Sequence, residues 1–473
     1  MTSSFTRVDL RSKFLDVRPS FALGSIFVIV LAGLSPLLIV AATPDPQTSG
    51  WGGPAVIMIG SGIAFAVLIA RGERALFALS IWLFVYVFLG AAPLIQLRTG
   101  LIPATTPYVD ADYYWPTFWV VAIGMSSFVA GGLLAPRAKP HLLLRPNVSA
   151  SRTYALGTLG LLFAAFYMVR IGFGSVFSSR DSRQRAVTAA FPDLSAQAIV
   201  TAAATMLLLV GFVAAVVLIR QLKQASKSTF HATVFASVMA LVLLVIVNPL
   251  STPRYVSGTA LLGMFTATGL VATKKRFRIV AVLAIAALVF VFPLADAFRT
   301  DNVGFKTTAN PLEALTSPDF DSWNQITNTI YCVDRDGLQI GSQAAGVVLF
   351  WLPRSVWPEK PQDTGVFVAK CMDYSFQNLS APLWAELYIN GAWVGVVLGM
   401  GLVGYLTRLQ DRRIARQFDL AGFTGPIWNI LPFYAIILLR GSLLQAMAWL
   451  AVILIACLFV ARKSSSIESN RVL

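Results

Sequence analysis

The feature that most constrains this chain is a succession of apolar runs, each about long enough to cross a bilayer. They occupy residues 20–42, 54–70, 75–97, 117–135, 153–171, 198–219, 231–247, 256–273, 279–295, 381–406, 424–439 and 441–461. A helix needs roughly 20 residues to span the hydrocarbon layer, and ~17 at the short end. Of 473 residues, 56% are hydrophobic and 12% charged, where a soluble domain carries roughly a quarter charged. No soluble interior of this length holds so much apolar surface, so lipid must be the second solvent. The expected fold is all-α: a polytopic membrane protein with about twelve transmembrane helices.

The formal charge of +15 could point to nucleic acid. The basic residues, however, form short clusters between apolar runs and make no continuous face or arm, which favours topology as their cause. With the N-terminus inside, the clusters before residue 20, at Arg71 and Arg74, at 137–152, 220–227, 274–278, 408–416 and 462–471 all face the cytoplasm. Both termini are therefore expected to be cytoplasmic, and the first run reads as an uncleaved anchor. The expected organisation is a cytoplasmic N-tail (1–19), helices 1–9 with short loops (20–295), and one large extracytoplasmic loop (296–380). Helices 10–12 (381–461) and a cytoplasmic C-tail (462–473) complete it.

The outer segments nevertheless keep Arg98, Arg170, Arg180, Arg183, Arg185, Arg254, Arg299, Lys306, Arg335, Arg354, Lys360, Lys370 and Arg440. Topology disfavours arginine near span ends on that side. Salt bridges with Asp181, Asp296 and Asp301 are one explanation. An anionic ligand is the other, because guanidinium grips phosphate or carboxylate through two parallel hydrogen bonds. Two turns sharpen the second. Runs 7 and 8 are joined by Asn248-Pro-Leu-Ser-Thr-Pro-Arg254, and runs 11 and 12 by little more than Arg440-Gly441. Arg440 then lies at or below the outer membrane surface, facing a cavity or paired with Glu386 or a carbonyl.

Within the large loop, Gln343 to Trp357 is apolar except for Arg354, and Pro353 and Pro358 interrupt it. It reads as an interfacial or re-entrant helix with Trp351 and Trp357 at headgroup depth, or as a plain packing helix. Cys332 and Cys371 share this loop, as a disulfide or as two thiols. His141 and His231 both fall on the cytoplasmic side, which sets aside an outer zinc site or histidine base. No nucleotide-binding loop occurs. The outer face offers arginine, carboxylates (Asp181, Asp296, Asp301, Glu359, Asp363, Asp373, Glu386) and aromatics, a set suited to a diphosphate and a sugar.

Two stretches carry a family resemblance. Phe350-Trp-Leu-Pro-Arg-Ser-Val-Trp-Pro-Glu-Lys-Pro361 and Ser380-Ala-Pro-Leu-Trp-Ala-Glu-Leu-Tyr-Ile-Asn-Gly-Ala-Trp-Val-Gly395 resemble the oligosaccharide repeat-unit polymerases, the Wzy-type or O-antigen polymerase family. Ile81 to Gly90, Asn248 to Arg254 and Leu439-Arg-Gly441 also fit. The resemblance implies a glycosyltransferase-C-like fold in the bacterial plasma membrane, with its active site on the extracytoplasmic face. It implies transfer of a growing glycan from undecaprenyl diphosphate onto a new lipid-linked repeat unit, for exopolysaccharide, capsule or O-antigen. It also implies no metal or other cofactor, and partners such as a flippase and a chain-length regulator.

The family's functional arginines fall in two outer loops, here Arg170 to Arg185 and Arg354 with its neighbours. Arg354, Arg440 and Glu386 are the catalytic candidates. Arg170, Arg180, Arg183, Arg185, Arg254, Arg299 and Lys360 are the candidates for binding diphosphate. The competing readings are a lipid-linked oligosaccharide flippase or transporter, which would show internal repeats, and an O-antigen ligase, expected to use an outer histidine.

Overall fold

The computed structural model describes residues 20–46, 49–136, 148–249, 251–287, 311–417 and 426–462. They form helices joined by turns, with no β-strand among them. In chain order these are α1 (Phe21–Ala42), α2 (Gly52–Arg71), α3 (Leu76–Thr99), α4 (Ala111–Leu134), α5 (Ala150–Ile171), α6 (Arg180–Ala190), α7 (Gln197–Gln224) and α8 (Phe230–Ile246). They continue with α9 (Arg254–Thr268), α10 (Lys274–Ala286), α11 (Ser322–Asp336), α12 (Ser342–Val348), α13 (Thr364–Cys371), α14 (Leu383–Gln417), α15 (Ile427–Arg440) and α16 (Leu443–Val460).

Eight of them, α1 to α5, α7, α14 and α16, are long and apolar enough to cross a membrane. The chain is a multi-pass membrane protein. Four further expected spans coincide with shorter helices, of 17, 15, 13 and 14 residues for α8, α9, α10 and α15. At 1.5 Å per residue α8, α9 and α15 reach roughly 21–26 Å, a little less than the ~30 Å hydrocarbon layer, while α10 runs to the edge of the described residues. The ninth expected run continues past residue 287, outside the described residues. So do the N-tail, residues 296–310 of the large loop, and all of the C-tail but Arg462.

Local chemistry sets the helix ends. Ser20 accepts from the Leu23 N–H, Ser179 from Ser182 and Thr273 from Arg276, so α1, α6 and α10 each begin on a side-chain cap. At the other end, Gly72 and Gly269 close α2 and α9 in the left-handed conformation that favours glycine. Asp411 (2% exposed) accepts from the Phe77 and Ala78 N–H groups, both 3.0 Å, and caps α3 from the far end of α14. Helix α14 is broken at Gly391–Ala392, whose backbone is not helical. Asn390 fills the break: it donates to the Glu386 carbonyl and accepts the Ala344 N–H in the first turn of α12.

Two large apolar cores result among the described residues, beside two smaller ones. One gathers α1 to α4, α10, α11 and α14; the other gathers α5, α7, α8, α9 and α16. Helix α15 is the seam between them, with Phe433 and Leu439 in the first and Ile430 and Tyr434 in the second. In the first core, α4 and α14 touch backbone to backbone. A Cβ at Gly131 would strike the Gly401 carbonyl, and one at Gly404 would strike that of Phe128. Small residues let membrane helices approach this closely, and dispersion replaces the absent hydrophobic drive.

The described part of the large loop, 311–380, is folded into the bundle. Helix α11 is buried along nearly its whole length although five of its buried residues are Asn, Gln or Thr. Trp323, Ile326, Ile330 and Val333 give it an apolar face at helical spacing. Some of its polar groups find partners: Asn324 donates to Thr106 (3.1 Å), Thr327 meets Thr117 (2.9 Å), and Asn328 donates to Tyr374 (2.9 Å), while Ser322 Oγ, Gln325 Oε1 and Asn328 Oδ1 are buried without one among the described residues. Cys332 and Cys371 are disulfide-bonded and tie α11 to α13. The stretch expected as an interfacial helix over Gln343 to Trp357 is helical only in α12. Pro353 ends any continuation, and the chain turns through 350–358 instead.

Candidate functional site

The turn between α8 and α9 is built first. The Ser251 and Thr252 N–H groups both bond back to the Asn248 carbonyl (3.2 and 3.0 Å). Arg183, on α6 and 5% exposed, fastens this turn from the side. It donates to Ser251 Oγ (3.0 Å) and Thr252 Oγ1 (2.8 Å) and lies over the Tyr167 ring. Ser251 in turn donates to the Val176 carbonyl at 2.6 Å. Arg254 is therefore delivered as the first residue of α9 by a turn whose Ser251 and Thr252 hydroxyls are already satisfied.

The second turn joins α15 to α16 through Gly441 and Ser442. Gly441 N–H bonds to the Ile437 carbonyl at 2.7 Å, and the Tyr434 hydroxyl reaches across to Ala446 at 2.7 Å. Glu386 (2% exposed) accepts from the Leu443 N–H (3.0 Å), from Ser442 (3.2 Å) and from Thr364 (2.8 Å). It caps α16 and fixes the turn from beneath. Of the two partners expected for Arg440, Glu386 or a main-chain carbonyl, the structure gives the carbonyl: Arg440 turns to the segment Pro318–Asp321.

That segment is where the two turns meet. Arg440 Nε donates to the Asp319 carbonyl (2.8 Å) and its Nη2 to the Pro318 carbonyl (3.2 Å). The same Nη2 lies 3.5 Å from Asp321 Oδ1 and 3.7 Å from Asp319 Oδ1. Arg254 Nη1 donates to Asp319 Oδ2 at 2.8 Å. Asp321 is buried and also accepts from Thr105, Gln325 and Ser380. Tyr255, next to Arg254, lies within electrostatic reach of both Arg180 and Arg440. Arg254 and Arg440, drawn from distant parts of the sequence, thus meet around two aspartates at one end of the bundle, with Arg183 behind the Arg254 turn and Arg180 near Tyr255. Such a group of guanidiniums, partly desolvated, is suited to a multiply charged anion.

Other candidates lie elsewhere. Arg354 donates to the Lys360 and Pro361 carbonyls (2.6 and 3.2 Å), and Lys360 to those of Phe350 and Leu352 (2.7 and 2.9 Å). Between them they staple the 350–361 turn; among the described residues neither bonds to the arginine group. Partial burial, and secondarily the Arg354 charge, lowers the Lys360 pKa. Arg170 donates to the Ala190 carbonyl and lies over the Phe166 and Phe191 rings. Arg185 is exposed and donates to Ser182. Arg98 is buried against Thr43, the carbonyls that end α1 and the Trp51 ring. Arg299 and Lys306 lie outside the described residues, as do Asp296 and Asp301. Asp363 sits beside Thr364 under the α16 cap, and burial raises its carboxyl pKa.

The sequence reading missed Asp319 and Asp321, the acids that hold the arginines. The signal available was the Pro318-Asp-Phe-Asp321 pattern, in which an apolar residue between two acids suits a segment anchored in a core. No family model, curated protein or solved structure matches this chain.

Proposed function

We propose that the protein polymerises lipid-linked oligosaccharide repeat units. A growing glycan on undecaprenyl diphosphate is transferred to the non-reducing-end sugar of a new undecaprenyl-diphosphate-linked repeat. The observation that carries this reading is the convergence of Arg254 and Arg440, each fixed by a tight helix–helix turn, on one acidic segment. Taking the short helices α8, α9, α10 and α15 as spans gives about twelve crossings with both termini cytoplasmic. The arginine end then faces outward, where a lipid-linked glycan is presented at the bilayer surface.

In this reading Arg254 and Arg440, backed by Arg180, hold the diphosphate of the donor. Negative charge grows on the phosphate oxygen as the bond to sugar C1 breaks. Guanidiniums already in place stabilise that charge without reorganising. A charge-assisted hydrogen bond contributes ~1.5–3 kcal/mol, and every ~1.4 kcal/mol gained only in the transition state is about tenfold in rate. Arg183 positions the Arg254 turn, and Glu386 positions the Arg440 turn. Arg354 and Lys360 shape the neighbouring loop.

The test is reconstitution in liposomes with a defined undecaprenyl-diphosphate repeat unit. Products spaced by whole repeats, with release of undecaprenyl diphosphate, support the reading. Movement of the intact lipid between leaflets without new linkages would overturn it in favour of a flippase.

A further inference from the structure

The arginine pair already holds an anion, and the anion belongs to the chain. Asp319 Oδ2 sits 2.8 Å from Arg254 Nη1, and the three side chains concerned, Arg254, Arg440 and Asp319, keep 14%, 23% and 13% of their surface open. The two arginines are held in different ways. Arg440 is fastened to main-chain oxygens of Pro318 and Asp319, which cannot leave without moving the backbone. That backbone is pinned, because Phe320 is fully buried against Phe88 (ring centroids 5.1 Å) and Gln96 donates to the Leu315 and Phe320 carbonyls. Arg254 instead meets this segment at a side-chain carboxylate, which a rotation about the Asp319 side-chain bonds would withdraw.

We propose that Asp319 is a specificity-determining residue: an internal anion on Arg254 that an incoming diphosphate must displace. This rests on the reading that the arginine pair holds the donor diphosphate. A singly charged ligand replacing the carboxylate exchanges one anion for another and gains little. A diphosphate brings more charge and more acceptor oxygens, so it can satisfy Arg254 and Arg440 together and outcompete the carboxylate. Asp321 takes no part in the exchange, since it is buried and bonded to Thr105, Gln325 and Ser380. Its carboxylate stays with Arg440 and keeps that guanidinium oriented. After transfer, Asp319 returns to Arg254 and speeds departure of undecaprenyl diphosphate.

The experiment measures binding of inorganic pyrophosphate and of orthophosphate to the purified full chain in nanodiscs, by calorimetry, for wild type, Asp319→Asn, Asp319→Glu and Arg254→Ala. Wild type is expected to prefer pyrophosphate. Asp319→Asn is expected to bind both anions more tightly, orthophosphate by about tenfold and pyrophosphate by less, so that the preference for pyrophosphate shrinks. Asp319→Glu, which keeps the charge, should stay near wild type. Should Asp319→Asn fail to fold, Asp319→Ser, neutral and smaller, takes its place with the same expectation.

Unchanged or weaker binding in the neutral variants, while wild type binds pyrophosphate and Arg254→Ala does not, overturns the role of Asp319 and leaves the diphosphate site standing. Absence of binding to wild type and neutral variants alike overturns both.

Discussion

Asp319 joins Arg254 to Arg440: its carboxylate accepts from one guanidinium and its main-chain carbonyl from the other, each at 2.8 Å. The two arginines enter on helices from different turns of the chain and are brought into register by a residue of the large loop. The loop therefore completes the site, and changes in either helical hairpin should act through it.

Geometry as well as charge matters at Arg254. Lysine would keep the charge but lose the planar fork that can grip phosphate through two parallel hydrogen bonds. Arg254→Lys is expected to lower the rate of repeat-unit addition roughly tenfold, and Arg254→Ala roughly a hundredfold, if each lost charge-assisted contact is worth ~1.5–3 kcal/mol. Initial rates of undecaprenyl diphosphate release measure both. A lysine variant as fast as wild type would show that a point charge is enough.

Arg183 should matter for a different reason. It is buried, and its two short hydrogen bonds hold Ser251 and Thr252 in the turn before Arg254. Arg183→Ala leaves those hydroxyls without their donor and is expected to cost ~2–4 kcal/mol of stability. Arg183→Gln, which can still donate to one hydroxyl, should recover part of it. Thermal unfolding in detergent, compared with activity at low temperature, separates loss of fold from loss of position.

Reduction of the Cys332–Cys371 bond opens a loop with a sequence separation of 39 residues. On the chain-entropy account, closing such a loop is worth ~3–4 kcal/mol. A reductant, or Cys332→Ser with Cys371→Ser, should make the α11–α13 region sensitive to protease while the membrane helices persist. Identical digestion with and without reductant would contradict this.

Asp363 gives the stability a pH dependence of known sign. Burial raises its carboxyl pKa, so over that interval the folded chain keeps a proton that the unfolded chain has released. Its contribution is therefore most favourable below the ordinary carboxylate range and declines as pH rises toward the raised value. Asp363→Asn keeps an oxygen for the Gly365 N–H without a buried charge, and should be at least as stable as wild type at neutral pH. Asp363→Ala loses the cap and should be less stable by ~1 kcal/mol. Melting temperatures across pH distinguish the three proteins.

Much of the fold was readable because a bilayer imposes a length and an apolarity on each crossing. The eight long helices α1 to α5, α7, α14 and α16 follow from that rule, and the arginines at the α8–α9 and α15–α16 turns stood out between shorter apolar runs. Helix α11 does not follow from it. Its Asn324, Gln325, Thr327, Asn328 and Thr329 hide the burial in the sequence, because partners such as Thr106 and Tyr374 lie far away in the chain. The same limit hid Asp319 and Asp321: which acid meets which arginine is decided by tertiary packing, and neither residue shows a periodic pattern. Arg98 stood out for its charge near a span end, yet its partners are carbonyls at the end of α1, which no sequence pattern marks.

The most direct test is a ladder assay with a defined undecaprenyl-diphosphate repeat unit, comparing wild type with Arg254→Ala, Arg440→Ala and Arg354→Ala in liposomes, each checked for folding. The account predicts a ladder of whole repeats for wild type, its loss in Arg254→Ala and Arg440→Ala, and a weaker effect in Arg354→Ala. A full ladder from the folded Arg254→Ala and Arg440→Ala variants would contradict the assignment of the diphosphate to this pair.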